Sequence, residues 1–165
     1  KKKRIKTSGC ANGTIFEDII EEIEKIKLKY NSYISNKEIF ELSKKINTMP
    51  SLYLKSGAIH GCVLCKKNQN IAYFEDVGRH NAIDKLAGFM FLEKISPQNK
   101  ILYTTGRLTS EMVIKTVIMK IPILASRSGF TAWGVDLALK SNLTMIARLR
   151  GKRYILLSGK ERIKA

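Results

Sequence analysis

The sequence predicts an α/β fold whose ligand-facing edge is made of strand-to-helix turns. Two observations carry this. Strand-like apolar runs at 71–74, 101–104 and 122–125 are each followed by a polar turn bearing glycine and arginine, and then by a helical run. The layout comes three times in succession, so the three turns are expected at the carboxyl ends of strands in one parallel sheet, where open α/β sheets bind ligands.

At 165 residues and 44% hydrophobic, the chain can bury one core, which predicts a single domain over 1–165. No run of 18 apolar residues occurs, so no membrane span is expected. The chain opens on Lys1 and lacks an apolar signal segment, which fits a fragment whose start is missing. Thirty Lys and Arg against fourteen Asp and Glu give a net charge of +16, a balance suited to nucleic acid, an anionic membrane surface or a phosphate-bearing cofactor. The excess is mostly scattered lysine, and the few aromatic residues are not interleaved with it. A stacking platform for single strands is therefore disfavoured, and nucleic acid with it. Three cysteines, an odd number, point to reduced thiols in the cytoplasm.

Taken in order, a basic run at 1–6 leads into Thr7-Ser8-Gly9-Cys10-Ala11-Asn12-Gly13-Thr14. A thiol between glycines on a polar loop, with five cations nearby, has the setting that lowers a cysteine pKa and raises the thiolate fraction. Apolar residues at 16, 19, 20, 23, 26 and 30 keep a helical period, with acids early and lysines late, predicting a helix over 16–30. Ser35 and Glu38 stand at capping-box spacing before a second helix, which Met49-Pro50 ends, and a short helical piece runs through residue 54. Runs 58–65 and 71–75 read as two strands around the polar turn 66–70. The first contains Cys62-Val63-Leu64-Cys65. Residues three apart on a strand point to opposite faces, roughly 10 Å apart, so this pair reads as buried small hydrophobes rather than a disulfide or a zinc site. His60 is open to either core or site.

Residues 75–85, Glu-Asp-Val-Gly-Arg-His-Asn-Ala-Ile-Asp-Lys, are too polar for core and too rich in donors and acceptors for an ordinary connection. Gly78 would permit a tight backbone, and the helix start over 82–94, with Arg79 and His80 beside it, would favour an anion. After Pro97, strand 101–104 ends in Thr105-Gly106-Arg107-Leu108-Thr109-Ser110-Glu111 before a helix over 112–120. Strand 122–125 ends in Ser126-Arg127-Ser128-Gly129-Phe130-Thr131 before a helix over 132–140. Strands 144–149 and 154–157 close the chain around Arg148, Leu149, Arg150, Gly151, Lys152 and Arg153, either a hairpin tip in water or one more wall of the pocket. No P-loop and no G-x-G-x-x-G is present.

The run from Glu75 to Ala82 with Asp84-Lys85, Gly106-Arg107 with Ser110-Glu111-Met112, and Ile121-Pro122-Ile123-Leu124-Ala125-Ser126 together resemble the formate dehydrogenase accessory sulfurtransferases, the FdhD family. The likeness extends to 57–60 and to Arg150-Gly151, nearly the whole chain. It implies a three-layer α/β/α, cytidine-deaminase-like domain with a mixed sheet edge, usually dimeric and usually preceded by an N-terminal region absent here. It also implies a role: taking sulfur from a cysteine desulfurase as a persulfide and passing it to the molybdenum bis(molybdopterin guanine dinucleotide) cofactor of formate dehydrogenase.

By that resemblance Cys10 is the persulfide cysteine, and Arg148 to Arg153 form the cofactor-binding segment. The loop departs from the family in one respect, carrying Gly13 where many members have a second cysteine. In this setting Arg79, Arg107 and Arg127 would contact phosphates, with Asp76, Gly78, His80 and Gly106 around them. Glu75 or Asp76 would bind a guanine edge or order His80, and GDP or GTP would mimic the cofactor. A zinc deaminase, the rival that the fold class suggests, needs an H-x-E or C-x-E helix start and a downstream P-C-x-x-C, and the chain has neither, so no zinc is expected. A basic nucleic-acid module and a cofactor-binding chaperone without sulfur transfer are two further rivals.

Overall fold

The computed structural model describes residues 4–6, 14–29 and 31–164. Cys10 lies outside the described residues. Strand β1 (Arg4–Lys6) pairs antiparallel with β2 (Thr14–Phe16), and α1 follows directly (Glu17–Lys25). A short strand β3 (Ile34–Ser35) leads into α2 (Asn36–Thr48), and then comes α3 (Leu52–Ser56). The main sheet is formed by β4 (His60–Lys66), β5 (Gln69–Asp76), β6 (Ile101–Thr104), β7 (Ile123–Ser126), β8 (Thr144–Arg150) and β9 (Arg153–Ser158), in the order β5-β4-β6-β7-β8-β9. Helices α4 (Arg79–Leu92), α5 (Ser110–Ile118) and α6 (Ala132–Lys140) connect its strands. A 3-10 turn (Lys160–Arg162) and β10 (Ile163–Lys164), parallel to β3, end the chain.

Strands β6, β7 and β8 are parallel, while β4 is antiparallel to both β5 and β6. Two reversals restore the direction, so β5 runs the same way as β6. The carboxyl ends of β5, β6, β7 and β8 therefore share one edge with the amino ends of β4 and β9, and the three turns converge although the sheet is mixed.

The sheet is buried on both faces, which is why its central strands read as continuous apolar runs. One face packs Cys62, Leu64, Leu102, Leu124, Met145 and Ala147 against residues of α1, α4, α5 and α6. The other packs Val63, Cys65, Ile101, Tyr103, Ile123 and Ile146 against Ile39, Leu42 and Ile46 of α2. Cys62 and Cys65 thus face opposite layers, as strand alternation requires. Both are fully buried, and burial pushes each thiol up to about 12.

Several boundaries differ from the sequence reading. The helix expected over 16–30 ends at Lys25, because the chain beyond it is held elsewhere: the fully buried Arg162 donates to the carbonyls of Leu28 and Lys29, and Leu28 N–H donates to Ser141. The turn expected over 66–70 contracts to Lys67 and Asn68. The helix expected from 82 begins at Arg79, so Arg79 and His80 belong to its first turn. At Gly78 φ is −98°, ordinary extended backbone, so no left-handed freedom is used there. The capping box at Ser35 and Glu38 forms, with Ser35 N–H donating to Glu38 Oε2 at 2.8 Å and Glu38 N–H to Ser35 Oγ at 3.3 Å.

Candidate functional site at the carboxyl edge of the sheet

The turns are joined to one another through backbone and hydroxyl contacts. Thr105 N–H donates to Gly61 O (3.0 Å) and Gly61 N–H to Thr105 Oγ1 (2.9 Å), tying the second turn to the start of β4. Ser126 Oγ–H donates to Gly106 O (2.6 Å), joining the third turn to the second. Arg148 N–H donates to Ser128 O (2.9 Å) and Arg150 Nε–H to Arg127 O (3.2 Å), which docks the β8–β9 hairpin on the third turn. Gly106 is needed for its closeness: a Cβ there would lie 3.0 Å from Arg79 Cβ and 3.5 Å from His60 Nδ1. The first and second turns are thus in van der Waals contact.

Within the first turn the polar side chains brace the fold. Asp76 pairs with Lys85 at 2.7 Å and accepts from Gly78 N–H (2.9 Å) and Asn81 Nδ2 (3.0 Å), contacts that hold its carboxyl down at about 2. Glu75 accepts from Leu52 N–H (3.1 Å), Tyr53 N–H (2.7 Å) and Tyr73 O–H (2.7 Å). Asp84 pairs with Lys115 of α5 at 2.6 Å. Both carboxylates considered for a guanine edge are therefore occupied by protein donors. Arg79 is only 6% exposed, packed beneath Gly106. His60 and His80 are both held below the ordinary histidine value, first by burial and then by cations: Arg79 and Arg107 for His60, Arg79 and Lys115 for His80. Two neutral imidazoles in a field of arginines leave the charge of the edge positive.

The second and third turns and the hairpin carry the solvent-facing charge. Arg107 is exposed, and Arg127 is half-buried with its guanidinium 5.5 Å from the Tyr53 ring centroid and NH1 donating to Asn47 Oδ1 (3.2 Å). Arg148, Arg150, Lys152 and Arg153 are exposed, whereas Leu149 is core. Arg150 and Arg153 are paired across a turn of Gly151 (φ 58°) and Lys152, and Arg148 (φ 50°) sits in a register shift that turns its side chain out of the sheet alternation. A cavity of about 340 Å³ lies at the opposite edge, among Ser32, Glu38, Ile101, Ile123 and Lys164, and contains none of the expected site residues. Chemically, the carboxyl edge can hold a polyanion against guanidinium and ammonium groups. Gly61, Tyr73, Tyr53, Asn47 and Lys115 all help to build it without having stood out in the sequence; of these, only Gly61 carried a signal, a glycine within a strand.

The sequence model of the FdhD/NarQ family matches residues 1–164. The chain is 38% identical over 138 residues to the sulfur carrier protein FdhD of Sulfurisphaera tokodaii, covering 82% of this chain and 54% of that protein. It is 30% identical over 163 residues to the sulfur carrier protein FdhD of Listeria monocytogenes, covering 98% of this chain and 62% of that one. The chain therefore spans little more than half the length of these relatives. Among solved structures, the crystal structure of a protein from Desulfotalea psychrophila, described as a candidate formate dehydrogenase accessory protein, superposes with a TM-score of 0.78 at 33% identity, over 98% of this chain and 71% of that one. That match supports the mixed α/β fold. Since the family match runs from one end of the sequence to the other, and the fold agrees with it, this chain belongs to the FdhD/NarQ family.

Proposed function

We propose that this chain carries out sulfur transfer in formate dehydrogenase maturation, with Cys10 as the sulfur-bearing thiol and the carboxyl edge of the sheet as the seat of the acceptor. The Cys10 thiolate would attack the outer sulfur of a cysteine desulfurase persulfide. The donor S–S bond breaks as the new one forms, and the desulfurase thiolate leaves, so the step needs no external oxidant. The acceptor, molybdenum bis(molybdopterin guanine dinucleotide), is cargo, and its phosphates and guanines would meet Arg107, Arg127, Arg148, Arg150, Lys152 and Arg153. The observation that carries the reading is the convergence of the three arginine turns and the basic hairpin on one edge. At Gly151, exposed and with nothing within 4 Å of where a Cβ would stand, the backbone is open to the approach of a flat or phosphorylated ligand. A homodimer acting in the cytoplasm belongs to the same reading, on the strength of the family.

The test is to incubate the protein with a cysteine desulfurase and labelled cysteine and map bound sulfur by mass spectrometry, in wild type and Cys10→Ala. Persulfide on Cys10 that vanishes in the variant supports the carrier role. No label on Cys10, or label confined to Cys62 or Cys65, overturns it and leaves a cofactor-binding protein. For the acceptor arm, GDP should bind saturably and Arg107→Ala should weaken it; duplex DNA bound in preference, with a steep salt dependence, would favour a nucleic-acid module instead.

A further inference from the structure

Helix α3 is five residues long and buries none of them; Leu52 and Leu54 are 60% and 45% exposed. A helix of that length has too few internal hydrogen bonds to stand alone, and no apolar face anchors it. Polar groups at its ends hold it instead. At the amino end, the two leading N–H groups, of Leu52 and Tyr53, donate to Glu75, and the next, of Leu54, donates to Ser51 Oγ (3.2 Å). At the carboxyl end, Gly57 (φ 65°) donates to Tyr53 O (2.9 Å). Glu75 is itself fixed from β5 by the Tyr73 hydroxyl, whose ring rests on Gly61, where a Cβ would stand 2.6 Å from the hydroxyl oxygen.

The clamp has a consequence on the other side of α3. Tyr53, the residue whose N–H Glu75 takes at 2.7 Å, offers its ring to the Arg127 guanidinium. Arg127 is fixed further by Asn47, and the carbonyl of Arg127 receives Arg150 of the hairpin. A continuous path thus runs from a carboxylate at the end of β5, through a short helix that buries none of its residues, to two arginines of the basic edge.

We propose that Glu75 is a positioning residue for the anion-binding edge: by clamping the start of α3 it sets Tyr53 beneath Arg127, and through Arg127 it sets the hairpin arginine Arg150. This rests on the reading of the edge given above, but its geometry can be tested separately.

The experiment uses the whole chain as wild type, Glu75→Ala, Glu75→Gln, Tyr53→Ala and the double variant Glu75→Ala/Tyr53→Ala. NMR would follow amide exchange at Leu52 to Leu54 and the Arg127 Nε–H resonance, and titration would give GDP affinity. Glu75→Ala should speed exchange at the three amides, shift the Arg127 resonance and weaken GDP by about fivefold, the scale of one cation–π contact. Glu75→Gln, which keeps one acceptor oxygen, should restore part of each effect. In the double variant GDP affinity should match Tyr53→Ala alone, because residues acting in series are not additive. Ser35→Ala, which opens the capping box of α2, should lower the thermal midpoint without moving GDP affinity or the Arg127 resonance. An unmoved Arg127 resonance in Glu75→Ala, or additive losses in the double variant, overturns the proposal. Should wild type bind no GDP, the nucleotide reading of the edge fails, and the Arg127 resonance alone then decides whether Glu75 positions it.

Discussion

Between Glu75 and Lys85, three carboxylates meet protein donors: Glu75 on α3 and Tyr73, Asp76 on Gly78, Asn81 and Lys85, and Asp84 on Lys115. Between Arg148 and Arg153, four cations stand exposed on a two-residue hairpin, tied to the fold chiefly through backbone and the Nε of Arg150. Both regions are densely charged, and both lie on one edge of the sheet. In the first, opposite charges are interleaved and satisfy one another, so the segment works as a brace. In the second, one sign is repeated over a short tip, no carboxylate among the described residues pairs with it, and an external anion would relieve the repulsion. Density of polar residues therefore does not by itself mark a ligand site.

The contrast can be broken at the hairpin with the largest effect. Replacing Arg148, Lys152 and Arg153 together by Glu should lower GDP affinity by about a hundredfold, read by titration calorimetry, because charge-assisted contacts to phosphate are lost and repulsion takes their place. The thermal midpoint should stay within about 2 °C, as for exposed substitutions generally. A fall in stability comparable to the fall in affinity would show the tip to be part of the brace. On the braced side, Gly61→Ala drives a Cβ to 2.6 Å from the Tyr73 hydroxyl. Urea unfolding should show a loss of about 2 kcal/mol from that overpacking.

Smaller effects sharpen the contrast. The Asp84–Lys115 pair is partly exposed, 57% and 30% by side chain, so Asp84→Asn should cost no more than about 1 kcal/mol in the same urea assay. Asp76 is depressed to about 2 from 3.8, so the folded state holds its charge more firmly than the unfolded chain does. The resulting stabilisation is complete above 3.8 and disappears as pH falls from there toward 2. Urea midpoints measured across that window should fall more steeply in wild type than in Asp76→Asn; parallel curves would mean that the brace does not depend on this charge.

Much of the edge was legible in the residues. Strand, glycine, arginine and helix repeated three times is enough to expect convergence, and strand alternation is enough to separate Cys62 from Cys65. The capping box at Ser35 was legible because both of its partners are local. What escaped was non-local: β4 lies between β5 and β6, so that two antiparallel pairings precede the parallel run, and no feature of β4's own sequence shows it. The end of α1 at Lys25 escaped for the same reason, since the side chain that captures Leu28 and Lys29 is Arg162, far along the chain. Gly78 was assigned a special backbone that it does not have, whereas Gly106 and Gly61, which do admit close neighbours, betray that need only when the neighbours Arg79 and Tyr73 are in place. The tie from Glu75 to α3 joins residues more than twenty apart through two backbone N–H groups, which have no signature in sequence.

Cys62 and Cys65 lie on β4, flanked by β5 and β6, and in the closed sheet neither sulfur is accessible. Each faces a different layer, so a thiol-reactive reagent can reach Cys62 only when the layer of α4 and α5 lifts, and Cys65 only when that of α2 does, unless the whole sheet opens at once. Their separate alkylation rates would then report two opening equilibria from one molecule with no engineered label. The strand carries its own pair of clocks, one for each side of the sheet.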